Sequence, residues 1–311
     1  MKIKKLNIIN WVLDITLITI LSFIYYLNEP IGSAKVIFIP KGSTSAIITQ
    51  MKQEGYNINT ADAYILRAIG MAQSGWIDIK TTKNTKADFL YKLTTSKAAL
   101  KNVTLIPGET TYIFLDILAK ELNLDRAKLE LEYNSLSSYP DGMFMPNTYA
   151  LPLGLSERGI IKTLLTQSQN KMRDISMKIF NDYNEKKWLQ IVTIASIIQK
   201  ESASIEEMEL VSSVIHNRIK KKMRLQMDGT LNYGEYSHVR VSAKRIREDD
   251  SPYNTYKIPA LPPYPVCNVS LDAIKAAIFP KKTDYLYFVK NKNGTHDFSC
   301  NYSTHLSNIN K

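Results

Sequence analysis

Residues 8–27, IINWVLDITLITILSFIYYL, form an apolar run of 20 positions. That length crosses a hydrocarbon core of ~30 Å as a helix. Asn10 and Asp14 fall in its first half, and Trp11, Tyr25 and Tyr26 sit where interfacial aromatics are expected. Lys2, Lys4 and Lys5 precede the run, which predicts a cytoplasmic start. A cleavable signal peptide would have a shorter apolar stretch followed by a small-x-small site. The exit here reads Leu-Asn-Glu-Pro. A buried soluble helix would show a polar face, and none exists. The pattern predicts an uncleaved anchor with the rest of the chain across the membrane.

Beyond the anchor the hydrophobic spacing changes. Residues 36–55, VIFIPKGSTSAIITQMKQEG, and 103–122, VTLIPGETTYIFLDILAKEL, share one order: β-branched strand, Ile-Pro, a Gly and Ser/Thr turn, an amphipathic helix. Ser43 or Thr44, and Thr110 or Thr111, are the candidate N-caps. Two copies 67 residues apart do not make a solenoid. Helical periodicity recurs around 61–72, and the Ser, Pro and Gly-rich segment 134–148 reads as a boundary or structured loop. Helices are predicted over 156–182, 186–203 and 205–222. The last opens on Ser204-Ile205-Glu206-Glu207, a capping-box spacing. From Met223 the signals turn to strands and Pro-rich turns. Asp284–Val289 is a candidate strand, and Asn293-Gly294 predicts a type I′ hairpin returning through His296–Ser299. Helices and strands segregating by region predict an α+β fold.

Composition narrows the chemistry. The net charge is +11, of which +2 lies in residues 1–27 and +9 in the remainder. Duplex nucleic acid is a poor partner on the far side of a membrane, whereas anionic lipid and cell-wall glycan suit a basic exported domain. Two cysteines, Cys267 and Cys300, and four histidines exclude zinc-ribbon and four-cysteine metal sites. The chain carries no G-x-S-x-G, P-loop, H-E-x-x-H or G-x-G-x-x-G motif. His296 beside Asp297, with a remote serine, could be imagined as a triad, but such pairs are common by chance.

One carboxylate falls in an unusual place. In KWLQIVTIASIIQKESAS, residues 187–204, the apolar positions 191, 194, 195 and 198 form a helical stripe, and Glu201 continues it. Burial disfavours its anion, and so does the negative end of the helix dipole. Both effects favour a general acid working near neutral pH. A surface glutamate on a frayed last turn, or one paired with Arg218 or Lys200, fits the same pattern. Residues 225–234, LQMDGTLNYG, follow the basic run 218–224; if extended, Gln226, Asp228 and Thr230 share one polar face. That face could wall a cleft for a hydroxyl-rich substrate or simply edge a sheet. The stiff loop 251–265 offers Tyr253, Asn254, Thr255 and Tyr256 as sugar-binding or packing groups.

These segments, TIASIIQKESAS, VSSVIHNRIKKKMRLQMDGTLNYG, YNTYKIPALPPYP and KKTDYLYFVKNKNGTHDFS, strongly resemble the YceG-like (MltG) endolytic murein transglycosylases. The likeness also takes in the anchor, both Ile-Pro units and DGMFMPNTY at 141–149. The resemblance implies a cytoplasmic tail at 1–7, an inner-membrane anchor at 8–27, a LysM-like module and linker at 30–100, and a periplasmic catalytic domain at 101–311. It places the acid/base on Glu201. It implies substrate contacts from Ser202, Asn217, Gln226, Asp228, Thr230, Tyr233 and the tetrapeptide 253–256. Met227 and Gly229 stand where the family usually has Thr and Pro, which puts that loop's rigidity in doubt. Ile-Pro-Gly-Glu at 106–109 likewise replaces the usual Ile-Pro-Glu-Gly.

The implied reaction cuts the MurNAc–GlcNAc bond of nascent strands and leaves 1,6-anhydro ends, with no metal or cofactor, ending glycan elongation. The implied partners are peptidoglycan strands and inner-membrane lipid, with peptidoglycan synthases of the elongation or division machinery as candidates. Two other readings stay open. One is a muramidase using Asp228 as a second carboxylate, and the other is a catalytically silent glycan-binding scaffold.

Overall fold

In a computed structural model the structure describes residues 2–310, with side chains from Ile8 onward. The expected position of Lys311 outside the cytoplasm falls outside the described residues, as do the side chains of Lys2, Lys4 and Lys5. The chain divides into two units: residues 1–101 with 152–154, and residues 102–151 with 155–311.

The first unit begins with helix α1, Lys2–Leu27. Its segment Ile8–Leu27 has a mean hydropathy of 1.9 and is long and apolar enough to cross a membrane. Thr16 and Thr19 donate their hydroxyls to Val12 and Ile15 carbonyls one turn back, so neither brings an unpaired polar group to the apolar surface. Strand β1 (Pro30–Gly32) and β2 (Val36–Ile39) follow, then α2 (Thr44–Gln53) and α3 (Asp62–Ile69). Next come β3 (Gly75–Asp78), β4 (Lys83–Thr85) and α4 (Lys86–Thr95). β2 pairs antiparallel with β3, and β1 with β4. Ser43 caps α2, as its spacing predicts. Ile37, Ile39, Ile48, Met51, Leu66 and Phe89 meet in one apolar core. The end of α1 is fastened to this unit. Tyr26 donates to Asp62 (2.7 Å), and the buried Lys86 ammonium pairs with Glu29 (2.7 Å) beneath the Tyr26 ring.

The second unit starts with β5 (Leu100–Leu105), which pairs with β6 (Asn147–Pro152). Between them lie α5 (Thr111–Leu122), capped by Thr110, and α6 (Arg126–Leu136). Together with α7 (Glu157–Phe180) they enclose Phe114, Leu118, Tyr133, Phe144 and Leu164. A second core gathers around α8 (Glu185–Glu201), α9 (Met208–Lys220) and α11 (Leu271–Ile278), with the short α10 (Ala243–Glu248) between the last two in sequence. Asn268 ties the two cores. Its side chain accepts the Phe144 N–H and donates to the Glu109 carbonyl, and its backbone closes two bonds with residues 108–109. The chain ends in the antiparallel hairpin β7 (Tyr287–Lys290) and β8 (His296–Ser299), then α12 (Tyr302–Ile309).

The mixed α+β class agrees with the sequence pattern, but three local expectations change. The region after Met223 is not mainly strand: α10, α11 and α12 are short helices capped by Ser242, Ser270 and Asn301. Their few turns carry too little periodicity to stand out beside the prolines. Helix α9 starts at Met208, so Ser204 is not its N-cap; Glu207 precedes it without a side-chain cap bond. The β7–β8 connection spans residues 291–295, with Asn291 receiving several loop bonds, instead of a two-residue Asn-Gly turn. Both cysteines are free, Cys267 buried and Cys300 exposed.

Candidate active site

Helix α8 is buried on more than one side. Trp188, Val192, Ala195, Ser196, Ile197 and Ile198 are all buried, a wider set than the single stripe predicts, because α9, α11 and the 228–231 turn all pack on it. Glu201 is its last residue. The alternative pairings with Arg218 or Lys200 do not form. Lys200 donates to Ser237 (2.9 Å), and Arg218 donates to the carbonyls of Leu286, Arg224 and Leu225.

The Glu201 carboxyl has another neighbour. The Gly229 N–H donates to its Oε1 at 2.6 Å. Burial pushes the Glu201 pKa up to about 7; the Gly229 bond opposes this and the Asp228 charge adds to it. The glycine is required by close approach. A Cβ there would lie 2.6 Å from the Lys200 Cβ and 2.9 Å from Glu201 Oε1. Proline, the residue the resemblance leads one to expect at 229, has no N–H and could not make this bond.

Glu201 opens on a cavity of about 470 Å³. Gln226, Asp228 and Tyr256 line it too, and the Tyr256 hydroxyl donates to Asp228 Oδ1 (2.7 Å). The opposing part of the lining comes from the terminal hairpin and helix, through Tyr287, Lys290, His296 and His305. Leu225–Thr230 is not an extended strand. Gln226 has φ +52° and Asp228–Leu231 forms a 3₁₀ turn. Gln226 and Asp228 are therefore exposed while Thr230 is buried, bonded to the Met227 carbonyl and Thr255 hydroxyl.

The other sequence candidates take different places. Thr255 receives the Met227 N–H on its hydroxyl and the Gln226 N–H on its carbonyl. Asn254 is fully buried and donates to the Ile246 and Asp249 carbonyls. These two hold the cavity's loops in register. Asn217 donates to the carbonyls of Thr283 and Tyr285, fixing the approach to β7. Ser202 is the C-cap that follows α8, and its buried hydroxyl finds no partner among the described residues. Tyr233 and Tyr253 stack at 4.4 Å and line a second cavity of about 280 Å³ with Asp141.

Sequence reasoning passed over Gly229, His296 and Lys290 as site residues. Helical and strand periodicity carries no mark of a backbone donor or of a residue that tertiary contact brings to the cavity. The second strand of the hairpin and its Gly-Thr-His-Asp-Phe-Ser sequence were the available signal. Among the described residues no cluster of His, Cys, Asp or Glu is arranged to hold a metal ion.

Residues 37–311 match the YceG-like family. The chain belongs to that family. This YceG-like chain is 30% identical over 248 residues to the endolytic murein transglycosylase of Bacillus subtilis, covering 76% of this chain and 68% of that protein. It is 34% identical over 157 residues to the endolytic murein transglycosylase of Streptococcus pneumoniae R6, covering 48% of this chain and 28% of that protein. A crystal structure of a YceG-like protein from Listeria monocytogenes superposes with a TM-score of 0.57 at 26% identity, over 90% of this chain and 99% of that one.

Proposed function

We propose that this YceG-like chain is an endolytic peptidoglycan lytic transglycosylase with Glu201 as its acid and its base. The observation that carries the reading is a carboxyl on the wall of a cavity, held by one backbone N–H and pushed by burial to a pKa of about 7. Protonated Glu201 donates to the glycosidic oxygen between N-acetylmuramic acid and N-acetylglucosamine. The C1–O bond breaks through an oxocarbenium-like state. The muramic C6 hydroxyl attacks C1, its proton returns to the Glu201 carboxylate, and a 1,6-anhydro end forms. No water is consumed. The tethered hydroxyl gains the large advantage of an intramolecular nucleophile. The Gly229 N–H supports the carboxylate after the first transfer, so the group can give and then reclaim a proton.

In this reading α1 is a single-pass inner-membrane anchor with a cytoplasmic N-terminus and a periplasmic catalytic domain. The β2–α2–α3–β3 unit is a LysM-like module holding glycan near the membrane, and cleavage of nascent strands ends their elongation. The division at 30–100 and 101–311 and the synthase partners belong to the same proposal.

A muramidase is the second reading, because Asp228 shares the cavity with Glu201. The full chain in detergent, digesting purified peptidoglycan in ¹⁸O-water, separates them by mass spectrometry. Unlabelled ends one water lighter than hydrolytic ends are expected. Labelled reducing ends that depend on Asp228 would instead establish the muramidase.

A further inference from the structure

Glu207 holds His296 at two points. Its Oε1 accepts the His296 main-chain N–H at 2.7 Å, and its Oε2 accepts from the ring Nδ1 at 2.8 Å. Oε2 also receives the Ala203 N–H at 3.3 Å. Phe288 stands edge-on to the ring, with centroids 5.2 Å apart. The ring is thus fixed in position and in tautomer. An ionised carboxylate can only accept, so Nδ1 carries the proton and the lone pair of a neutral ring sits on Nε2.

No hydrogen bond among the described residues takes up that Nε2, and His296 lines the same cavity as Glu201. Two of the other three histidines differ, while the third, His305, also lines the cavity and has a buried Nδ1 that finds no partner among the described residues. His216 places Nε2 on the Ala277 carbonyl, and His238 places its Nε2 on Glu109 at an exposed position. A ring oriented by a carboxylate on one nitrogen and left open on the other, on the wall of the cavity that Glu201 also lines, is arranged to meet a ligand.

We infer that His296 is a substrate-contacting residue, whose Nε2 accepts a hydrogen bond from a sugar hydroxyl of the strand bound at Glu201. This rests on the glycan-cleaving reading and extends it, since it assigns recognition to the terminal hairpin as well as to the α8 side of the cavity. Glu207 is the positioning residue, acting only through the ring.

Two substitutions separate the roles. His296→Asn places an amide N–H where Nδ1 stood, so it keeps the Glu207 bond and leaves the cavity side empty. His296→Gln places an amide oxygen near the Nε2 position and gives up the Glu207 bond. With the full chain in detergent and purified glycan strands, His296→Asn should keep the wild-type melting temperature. Its kcat/KM should fall about three- to tenfold, the worth of one neutral hydrogen bond, mainly through KM. His296→Gln should recover part of that loss. Wild-type kcat/KM in His296→Asn overturns the inference, and so does an Asn variant more active than the Gln variant, because the Glu207 tie would then be the whole role. Strand affinity in a Glu201→Gln background isolates binding from turnover. Weaker affinity on adding His296→Asn supports the contact even if the wild-type chain cleaves nothing, an outcome that would sink the transglycosylase reading alone. Unchanged affinity there overturns the contact.

Discussion

Two carboxyls in the second unit, Glu201 and Asp141, are pushed by burial to a pKa of about 7, and they do different things. Asp141 receives the Thr111 N–H and hydroxyl and the Gly142 N–H, so its oxygens are occupied at the start of α5. Both carboxyls line cavities, Asp141 the one of about 280 Å³ and Glu201 the one of about 470 Å³, but Glu201 receives a single backbone bond. Burial alone therefore does not make a catalytic acid. What distinguishes Glu201 is an oxygen that takes no hydrogen bond among the described residues. Asp141 is a clamp between a loop and a helix; Glu201, in the proposed reaction, is the proton donor.

The largest effect should separate them outright. Glu201→Gln keeps the shape and the Gly229 bond but can neither give nor reclaim a proton. Release of soluble fragments from peptidoglycan should fall beyond the ~10²–10⁴-fold typical of assisting acid–base groups, with circular dichroism unchanged. A folded Gln variant with near wild-type release would falsify the assignment. Gly229→Ala should come next. Its Cβ would press on Lys200 and on the Glu201 carboxyl, and the misplaced acid should lose on the order of 10²-fold in kcat/KM, as for small displacements of a reacting group. Wild-type rates in the alanine variant would show that the turn can shift without moving Glu201.

The pH profile gives a smaller signal. Activity needs Glu201 protonated, so kcat/KM should decline through a limb near pH 7, roughly tenfold per unit above it. A rate flat from pH 6 to 9 would contradict that protonation state. The smallest effects are in stability, and they should have opposite signs. Asp141→Ala leaves two main-chain N–H groups and a hydroxyl without their acceptor, and should cost about 3 kcal/mol in denaturant unfolding. For Glu201 the folded pKa lies above the unfolded 4.5, so native stability is lost as pH rises from about 4.5 to about 7. Glu201→Gln should therefore unfold at higher denaturant than wild type at pH 8, by on the order of 1–3 kcal/mol, and with it at pH 4. Equal destabilisation of both variants at pH 8 would erase the contrast between clamp and acid.

Much of this contrast was already legible in residue order. The stripe ending in Glu201 needs only the 3.6-residue period, and α8 keeps it, although its buried face is broader than the stripe. The paired strand–turn–helix units are recovered with their Ser43 and Thr110 caps, because a cap is a local bond between a side chain and a backbone three residues on. Asp141 was visible as part of a motif but not as a carboxyl like Glu201, since its donors come from Thr111, thirty residues earlier. The flat polar face drawn through Gln226, Asp228 and Thr230 failed for a related reason. Gln226 adopts a left-handed backbone, and the period of two ends there.

The sequence by itself determined what depends on composition and short-range spacing. That covers the apolar helix of 20 residues from Ile8 to Leu27, the α+β class, the family and the carboxylate on α8. These follow from helix and strand periodicity and from the apolar length of a bilayer, which need no knowledge of distant contacts. Only the tertiary structure decided which groups touch that carboxylate or share its cavity. The Gly229 N–H, the Asp228–Tyr256 bond and the His296 ring aligned by Glu207 arise from segments 28 to 89 residues apart. Hydrogen bonds are directional and short, so packing of α8, the 228–231 turn and the terminal hairpin to within about 3 Å creates the site, and no periodicity in the chain encodes that distance.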